Sequence, residues 1–71
     1  VDFVAEKQGI YTYFQVTADM TAKETFDREM KPLMNIRDNY EKIVLTGDRL
    51  TIGNYDGIQV RNLPDWLLGK E

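Results

Sequence analysis

Two runs of β-branched and aromatic residues open the chain, and a short polar stretch separates them. Residues 1–6 and 10–17 flank Lys7-Gln8-Gly9, a pattern that predicts a β-hairpin. Alternation divides the second run into two faces, with Ile10, Thr12, Phe14 and Val16 on one and Tyr11, Tyr13, Gln15 and Thr17 on the other. Because both faces carry bulky side chains, the second run is predicted to be an interior strand covered on both sides.

The next segment has helical spacing. Its apolar stripe recurs at three- and four-residue steps and consists of Ala22, Phe26, Met30 and Leu33. Thr21 and Glu24 are spaced as a capping box, which predicts the start of the helix. Pro32 either kinks this helix or begins a new turn after an end near Met30, and the pattern favours a kinked helix that ends near Ile36.

The remaining pattern completes a small mixed sheet. Residues 37–40 read as a loop, 42–46 as a buried strand, 47–56 as a turn-rich connection and 57–60 as a short strand, and Pro64 opens a final helical turn. A strand, a helix and another strand in succession predict a parallel, right-handed crossover. The expected fold is therefore α+β or mixed α/β, a β-β-α-β-β sheet with one crossover helix.

Composition excludes several classes of function. The 71 residues make one small domain and contain no Cys, His or Ser. Disulfide frameworks, thiol nucleophiles, serine and cysteine triads and the usual zinc sites are therefore excluded, and the absence of Cys fits a reducing, cytoplasmic compartment. The net charge of −3 predicts weak affinity for nucleic acid, and no apolar run is long enough for a membrane helix.

The two polar residues that flank Val16 are the main candidates for chemistry. With a two-residue loop at 7–8, Asp2 lies opposite Tyr13 and diagonally beside Gln15, on the same face. A three-residue loop at 7–9 turns Asp2 to the other face, and the sequence leaves both registers open. In the first register Asp2, Gln15 and Thr17 converge, and a cation could lie between Asp2 and Gln15.

The chemistry of these side chains is weak for a metal-dependent reaction. Magnesium sites that activate water normally use one or two carboxylates, whereas Gln15 offers a neutral oxygen and Thr17 no ammonium group. The simpler interpretation is that both are polar residues on a covered strand.

Three further clusters each allow a structural and a functional interpretation. The aromatic residues Tyr11, Tyr13 and Phe14 beside Lys7 resemble a platform for stacked bases, but cross-strand packing explains them equally well. Asp48 and Asp56 fit no calcium loop and are interpreted as turn formers. The apolar cluster near the end is either a lid on the core or an interface, and its members are Leu63, Trp66, Leu67 and Leu68.

The segments "YFQVTADM", "REMKPLMNIRDNYEK" and "GIQVRNLPDWLL" carry a resemblance to a known family. Over nearly its whole length the chain resembles the C-terminal domain of a large group of bacterial and archaeal AAA+-type ATPases, a domain of unknown function with a restriction-endonuclease-like fold. The resemblance implies that residues 1–71 are one nuclease-like domain of a longer protein, with an upstream P-loop ATPase module that binds ATP and magnesium. That module is then the expected partner.

The resemblance also assigns the candidate site. Active nucleases of this fold carry an Asp on one strand and Glu-x-Lys on the next. Asp2 matches the aspartate, but Gln15 stands in place of the glutamate and Thr17 in place of the lysine. The expectation is an inactive accessory domain used for binding or assembly, with no cofactor of its own. The alternatives are a surviving DNA nuclease that holds magnesium through Asp2, Gln15 and Glu6, and a structural module whose partner contacts residues 66–68.

Overall fold

A computed structural model describes residues 1–70, which form one mixed sheet with two helices. The elements are β1 (Phe3–Lys7), β2 (Ile10–Thr17), α1 (Lys23–Met34), β3 (Glu41–Thr46), β4 (Gly53–Tyr55), β5 (Ile58–Asn62) and α2 (Leu63–Leu67). No helix within these seventy residues is long and apolar enough to cross a membrane.

The strand order across the sheet is β1-β2-β3-β5-β4. The central strands β2, β3 and β5 are parallel, and each edge strand is antiparallel to its neighbour. The predicted α+β class and the parallel crossover through α1 are thus confirmed. The connection at 47–56 is where the prediction was wrong, because Gly53–Tyr55 forms β4. Gly and Asn have low strand propensity, and this strand exists through its pairing with β5 across the turn at Asp56-Gly57, where both residues have positive φ.

Helix α1 differs from the prediction at both ends. The prediction of a capping box is wrong, because Ala22 is the N-cap residue and no side chain caps the helix. The backbone N–H and the hydroxyl of Thr21 instead donate to the Asp19 carboxylate, at 2.7 and 2.6 Å. The Asp19 carboxylate thus takes the Thr21 backbone N–H that Glu24 would accept in a capping box. Pro32 lies inside the helix, which continues two residues further and ends at Met34, short of Ile36.

The two faces of the sheet are covered unequally. Helix α1 packs on one face over a buried cluster of six residues, Met20, Met30, Leu33, Val44, Ile58 and Val60. The other face has a smaller cluster of Phe14, Ile43 and Leu45, against which Leu63 and Trp66 pack. The predicted division of β2 into two faces is confirmed by these clusters, since Tyr13 contacts the first and Phe14 belongs to the second.

Candidate functional site

The hairpin turn fixes the position of Asp2. Gln8 and Gly9 form the turn with φ values of 55° and 81°, and Lys7 pairs with Ile10. Both registers considered from the sequence are therefore wrong. Asp2 lies one residue before the Phe3–Phe14 pair and outside the paired residues of β1, so the ladder itself does not place it opposite Gln15.

The Asp2 side chain is used to end the ladder between β1 and β2. Its backbone N–H donates to the Phe14 carbonyl oxygen at 2.9 Å. Its Oδ2 accepts the Val16 backbone N–H at 2.6 Å. The carboxylate thus takes the place of a backbone acceptor that β1 does not supply to Val16.

Gln15 is buried beneath α1, with 9% of its surface exposed. Its Nε2 donates to Glu29 Oε1 at 3.2 Å. Its Oε1 is buried and accepts no hydrogen bond from the residues that the structure describes. An unsatisfied buried acceptor costs about 1–3 kcal/mol, so this amide is a locally unfavourable feature of an otherwise well-packed strand.

Thr17 completes the candidate triad and is also neutral. Its hydroxyl donates to the Asp19 carbonyl oxygen at 3.3 Å. It pairs with Thr46 on β3. Neither Thr17 nor Gln15 supplies charge at the positions that follow Asp2 in the nuclease pattern.

The candidate residues of the two strands bring one carboxylate, that of Asp2, together with the neutral side chains of Gln15 and Thr17. Within residues 1–70, no group of three or more Asp, Glu, His or Cys side chains lies close enough together to hold a metal. Glu6 does not lie beside Asp2, because the two residues are four positions apart along the chain, about 13 Å in an extended strand. Its carboxylate accepts the Gly9 N–H in the hairpin turn.

Glu29 is the residue that sequence reasoning missed. It lies next to Met30 and three residues after Phe26, so the apolar stripe already placed it at the edge of the buried face. Its side chain is only 17% exposed, and it brings a carboxylate to the buried amide of Gln15. The helix thus contributes the negative charge that the strand lacks.

The aromatic residues of β2 are used for packing. Tyr11 and Tyr13 contact Tyr40 edge to face, with ring centroids 5.1 and 6.4 Å apart. The Tyr13 hydroxyl donates to Asp38 Oδ2 at 2.6 Å; this hydrogen bond raises the pKa of Tyr13 and is the main cause that lowers the pKa of Asp38. Lys7 lies at the hairpin turn and has no part in this cluster.

Lys42 anchors the same cluster from β3. Only 8% of the residue is exposed, and its Nζ donates to Asp38 Oδ1, the Asp38 carbonyl and the Tyr40 carbonyl at 3.0, 3.1 and 2.8 Å. All three ammonium protons therefore have acceptors, as a buried lysine requires. A cavity of about 350 Å³ adjoins the cluster at the start of β3 and β5.

The interpretation of Asp48 as a turn former is confirmed by the hydrogen bonds of its carboxylate. Oδ2 accepts from Met20 N at 2.9 Å and Thr46 Oγ1 at 2.7 Å. Oδ1 accepts from Leu50 N and from the amide and hydroxyl of Thr51, at 2.8–3.0 Å. Partial burial raises the pKa of Asp48, but these hydrogen bonds outweigh it and hold the pKa far below its usual value. The interpretation of Asp56 as a turn former is also confirmed, since it lies in the turn between β4 and β5 with a positive φ and is exposed.

The terminal apolar cluster divides into a buried and an exposed part. Trp66 packs edge to face on Phe14, with ring centroids 5.4 Å apart. Leu67 and Leu68 are each 69% exposed. Trp66 is therefore part of the core on this face, and only Leu67 and Leu68 remain available to a partner.

Comparison with known proteins finds a relative that is much longer than this chain. The chain is 37% identical over 68 residues to a protein of Haemophilus influenzae named "Uncharacterized protein". The match covers 96% of this chain but only 16% of the relative, so the chain spans about a sixth of the length of the curated relative that it matches. No protein-family model matches the chain, and no solved structure matches it significantly.

Proposed function

We propose that this chain is a nuclease-like accessory domain of a cytoplasmic AAA+-type ATPase and that it serves binding or assembly, not hydrolysis. The arrangement of the sheet supports the proposal. The strand that follows Asp2 is antiparallel to the strand with Gln15 and Thr17, and a helix then crosses to a parallel strand. This is the order in which the Asp and Glu-x-Lys strands occur in nucleases of the restriction-endonuclease-like class.

The observation that carries the proposal is the environment of Gln15 and Thr17. The amide is buried against Glu29 and the hydroxyl is bound to a backbone carbonyl. A divalent ion that activates water needs negative ligands, and the developing charge on a phosphate needs a cation. A neutral amide and a neutral alcohol supply neither of these.

A plasmid-nicking assay with Mg²⁺ or Mn²⁺ tests this proposal. We expect no cleavage above background. Cleavage that Asp2→Ala abolishes and Asp27→Ala retains would overturn it, because Asp27 is a surface carboxylate paired with Lys23 on the outer side of α1 and serves as the matched control.

A reciprocal variant tests whether the scaffold is retained. Gln15→Glu combined with Thr17→Lys restores the nuclease pattern beside Asp2. We expect this variant to be stabilised by Mn²⁺ in thermal unfolding, since metal binding to the folded state raises the unfolding temperature, whereas the parent chain is not stabilised. If the two proteins respond equally to Mn²⁺, the site does not have the proposed ancestry.

A second candidate function is a surviving metal-dependent DNA nuclease. The observation that favours it is Glu29, whose carboxylate accepts a hydrogen bond from the Gln15 amide nitrogen, while the buried Gln15 oxygen has no donor within residues 1–70. Under this alternative, Glu29 would replace the missing strand carboxylate, and Asp2, Gln15 and Glu29 would be the residues that hold magnesium and supply it for water activation. The same assay distinguishes the two functions, since Glu29→Gln must then abolish cleavage as completely as Asp2→Ala does.

The third candidate is a purely structural interaction module. The exposed side chains of Leu67 and Leu68 favour it, with the upstream ATPase module of the same polypeptide as partner. ATP and magnesium then belong to that module. Titration of the present chain with the isolated ATPase module should show binding that Leu67→Ser with Leu68→Ser weakens; no binding would exclude this interface. A phosphate-binding loop in the upstream sequence is the further expectation for the parent protein.

A further inference from the structure

The two edges of the sheet are protected to different degrees. The β4 edge is three residues long and contains a glycine, and such short edges do not readily accept another strand. The β1 edge is five residues long, keeps a regular register with β2 throughout, and contains no proline. All of its residues are exposed, including Phe3 at 43% and Val4 at 49%.

The register determines which backbone groups of β1 are free. Lys7 and Ile10 close a two-residue turn, so they exchange both backbone hydrogen bonds, and every second pair does the same. The peptide groups of Phe3, Ala5 and Lys7 therefore face β2. Those of Val4 and Glu6 point outward, away from the sheet.

We propose that β1 is a pairing edge and that a second copy of this chain adds its own β1 to it, antiparallel, about a two-fold axis at Ala5. In this register Val4 of each copy lies opposite Glu6 of the other, so the four outward peptide groups bond to one another. Phe3 lies opposite Lys7, whose alkyl stem and charge suit an aromatic neighbour. The result is a continuous ten-stranded sheet.

Charge selects this register over its nearest competitor. An axis at Val4 would pair Val4 with its own copy and place Asp2 directly opposite Glu6, although the Asp2 backbone N–H already donates to the Phe14 carbonyl oxygen and cannot join the new ladder. Like charges in directly opposed positions destabilise a strand pair. The axis at Ala5 avoids every opposition of like charges between residues 3 and 7. This inference rests on the β1 edge alone and does not depend on the proposed function.

Hydrogen exchange and sedimentation of the unmodified chain test the proposal. Over about a hundredfold increase in concentration that spans the dissociation constant, we expect the weight-average mass to rise from near that of the monomer toward that of the dimer. We also expect the amides of Val4 and Glu6 to become protected, while those of Phe3, Ala5 and Lys7 are protected at every concentration. A chain that stays monomeric throughout, or dimerises with Val4 and Glu6 still exchanging freely, overturns the proposal.

A pair of variants at one position separates edge pairing from side-chain packing. Val4→Pro removes an outward N–H that makes no bond within the monomer, a position where proline is tolerated in an edge strand. It should weaken the dimer about tenfold or more, because the symmetric pair loses the bond twice. Val4→Thr keeps the N–H and should change the dissociation constant less than about threefold.

A variant on the other candidate interaction surface, the exposed end of α2, completes the test. Leu68→Ser lies on the exposed end of α2 and should leave dimerisation unchanged. If Leu68→Ser dissociates the dimer and Val4→Pro does not, the contact is made by the terminal apolar cluster, and the β1 proposal is wrong. If Val4→Pro does not fold, the concentration dependence of the Val4 and Glu6 amides in the unmodified chain decides the matter.

Discussion

Two aspartates at the same end of the sheet show how differently a carboxylate can be held. Asp2 precedes β1, and Asp48 follows β3. Because β1 is antiparallel to β2 and β3 is parallel to it, both residues lie near the end of β2. Asp48 accepts from five donors on two segments of chain, whereas Asp2 accepts only from the Val16 amide among the bonds of its side chain that the structure gives.

The number of donors distinguishes a carboxylate with a structural role from one that is free to bind another ligand. A carboxylate with saturated oxygens is fixed in place and has no capacity left for a metal or a substrate. A carboxylate with one partner can exchange that partner for another ligand. Asp48 is therefore a structural residue, whereas Asp2 keeps an oxygen that can bind another ligand, although its neighbours Gln15 and Thr17 are uncharged.

The largest effect is expected for Asp48→Ala. The substitution leaves the Met20 amide and the Thr46 hydroxyl without their acceptor, and it releases the loop at Leu50 and Thr51. We expect a loss of about 3 kcal/mol in the free energy of unfolding, measured by urea denaturation. A loss below about 1 kcal/mol would show that water replaces the carboxylate without penalty. Asp56→Ala, in an exposed turn, is the control.

The second-largest effect is expected from acid, which should lower the free energy of unfolding. The pKa of Asp48 is depressed in the folded state by its hydrogen bonds, that of Asp38 by the Tyr13 hydroxyl and Lys42, and that of Asp65 by Arg49. A depressed carboxyl pKa contributes stability above the unfolded value of about 3.9 and loses it as the pH falls toward the folded value. We expect the free energy of unfolding to be flat near neutral pH and to fall below about pH 4.

The same titration tests the role assigned to Asp48. Asp48→Asn should reduce the slope of stability against pH in acid, because one of the groups with a depressed pKa is removed. A slope equal to that of the unmodified chain would contradict this role.

A smaller effect is expected for Asp2→Ala. The Val16 amide loses an exposed acceptor, and water can replace it at the end of the strand. The free energy of unfolding should fall by about 1 kcal/mol or less, as measured by urea denaturation beside Asp48→Ala. A loss as large as that of Asp48→Ala would make Asp2 a structural residue and would remove the reason to regard it as vestigial.

The smallest effect, and the one of opposite sign, is expected for Gln15→Met. The substitution preserves volume and removes the buried oxygen that has no partner, while Glu29 keeps some access to water. We expect stability to be unchanged or to rise by up to about 1 kcal/mol, measured by thermal unfolding. A loss above about 1.5 kcal/mol would show that the amide is needed for the fold.

Periodicity predicted the elements well, because burial imposes it directly. The faces of β2, the α1 stripe at Met30 and Leu33, and the buried strand at 42–46 follow from which side chains leave water. The hairpin register did not follow, because Gln8 with φ of 55° is not a residue that signals a type I′ turn. The capping box failed because Asp19, two residues before Thr21, is the stronger local acceptor.

For the candidate site, the sequence predicted which residues share a face of β2 but not their contacts with other elements. Sequence placed Gln15 and Thr17 on one face but could not say what covers them, since that depends on how α1 is rotated over the sheet. The contact between Gln15 and Glu29 joins residues 14 positions apart on different elements. The Asp48 cluster likewise depends on the approach of Met20 from another segment.

The central position of β2 also bears on how the chain folds. On one side its partner is β1, reached by a turn of two residues; on the other it is β3, where Thr12 pairs with Glu41, 29 positions later. Closing a long loop costs more entropy than closing a short one. We therefore expect the β1–β2 hairpin to form ahead of the parallel pairs, and the pairing of β3 after α1 to limit the rate of refolding. Until that step is complete, both sides of the hairpin are open to strands from other molecules, so refolding at high protein concentration competes with aggregation.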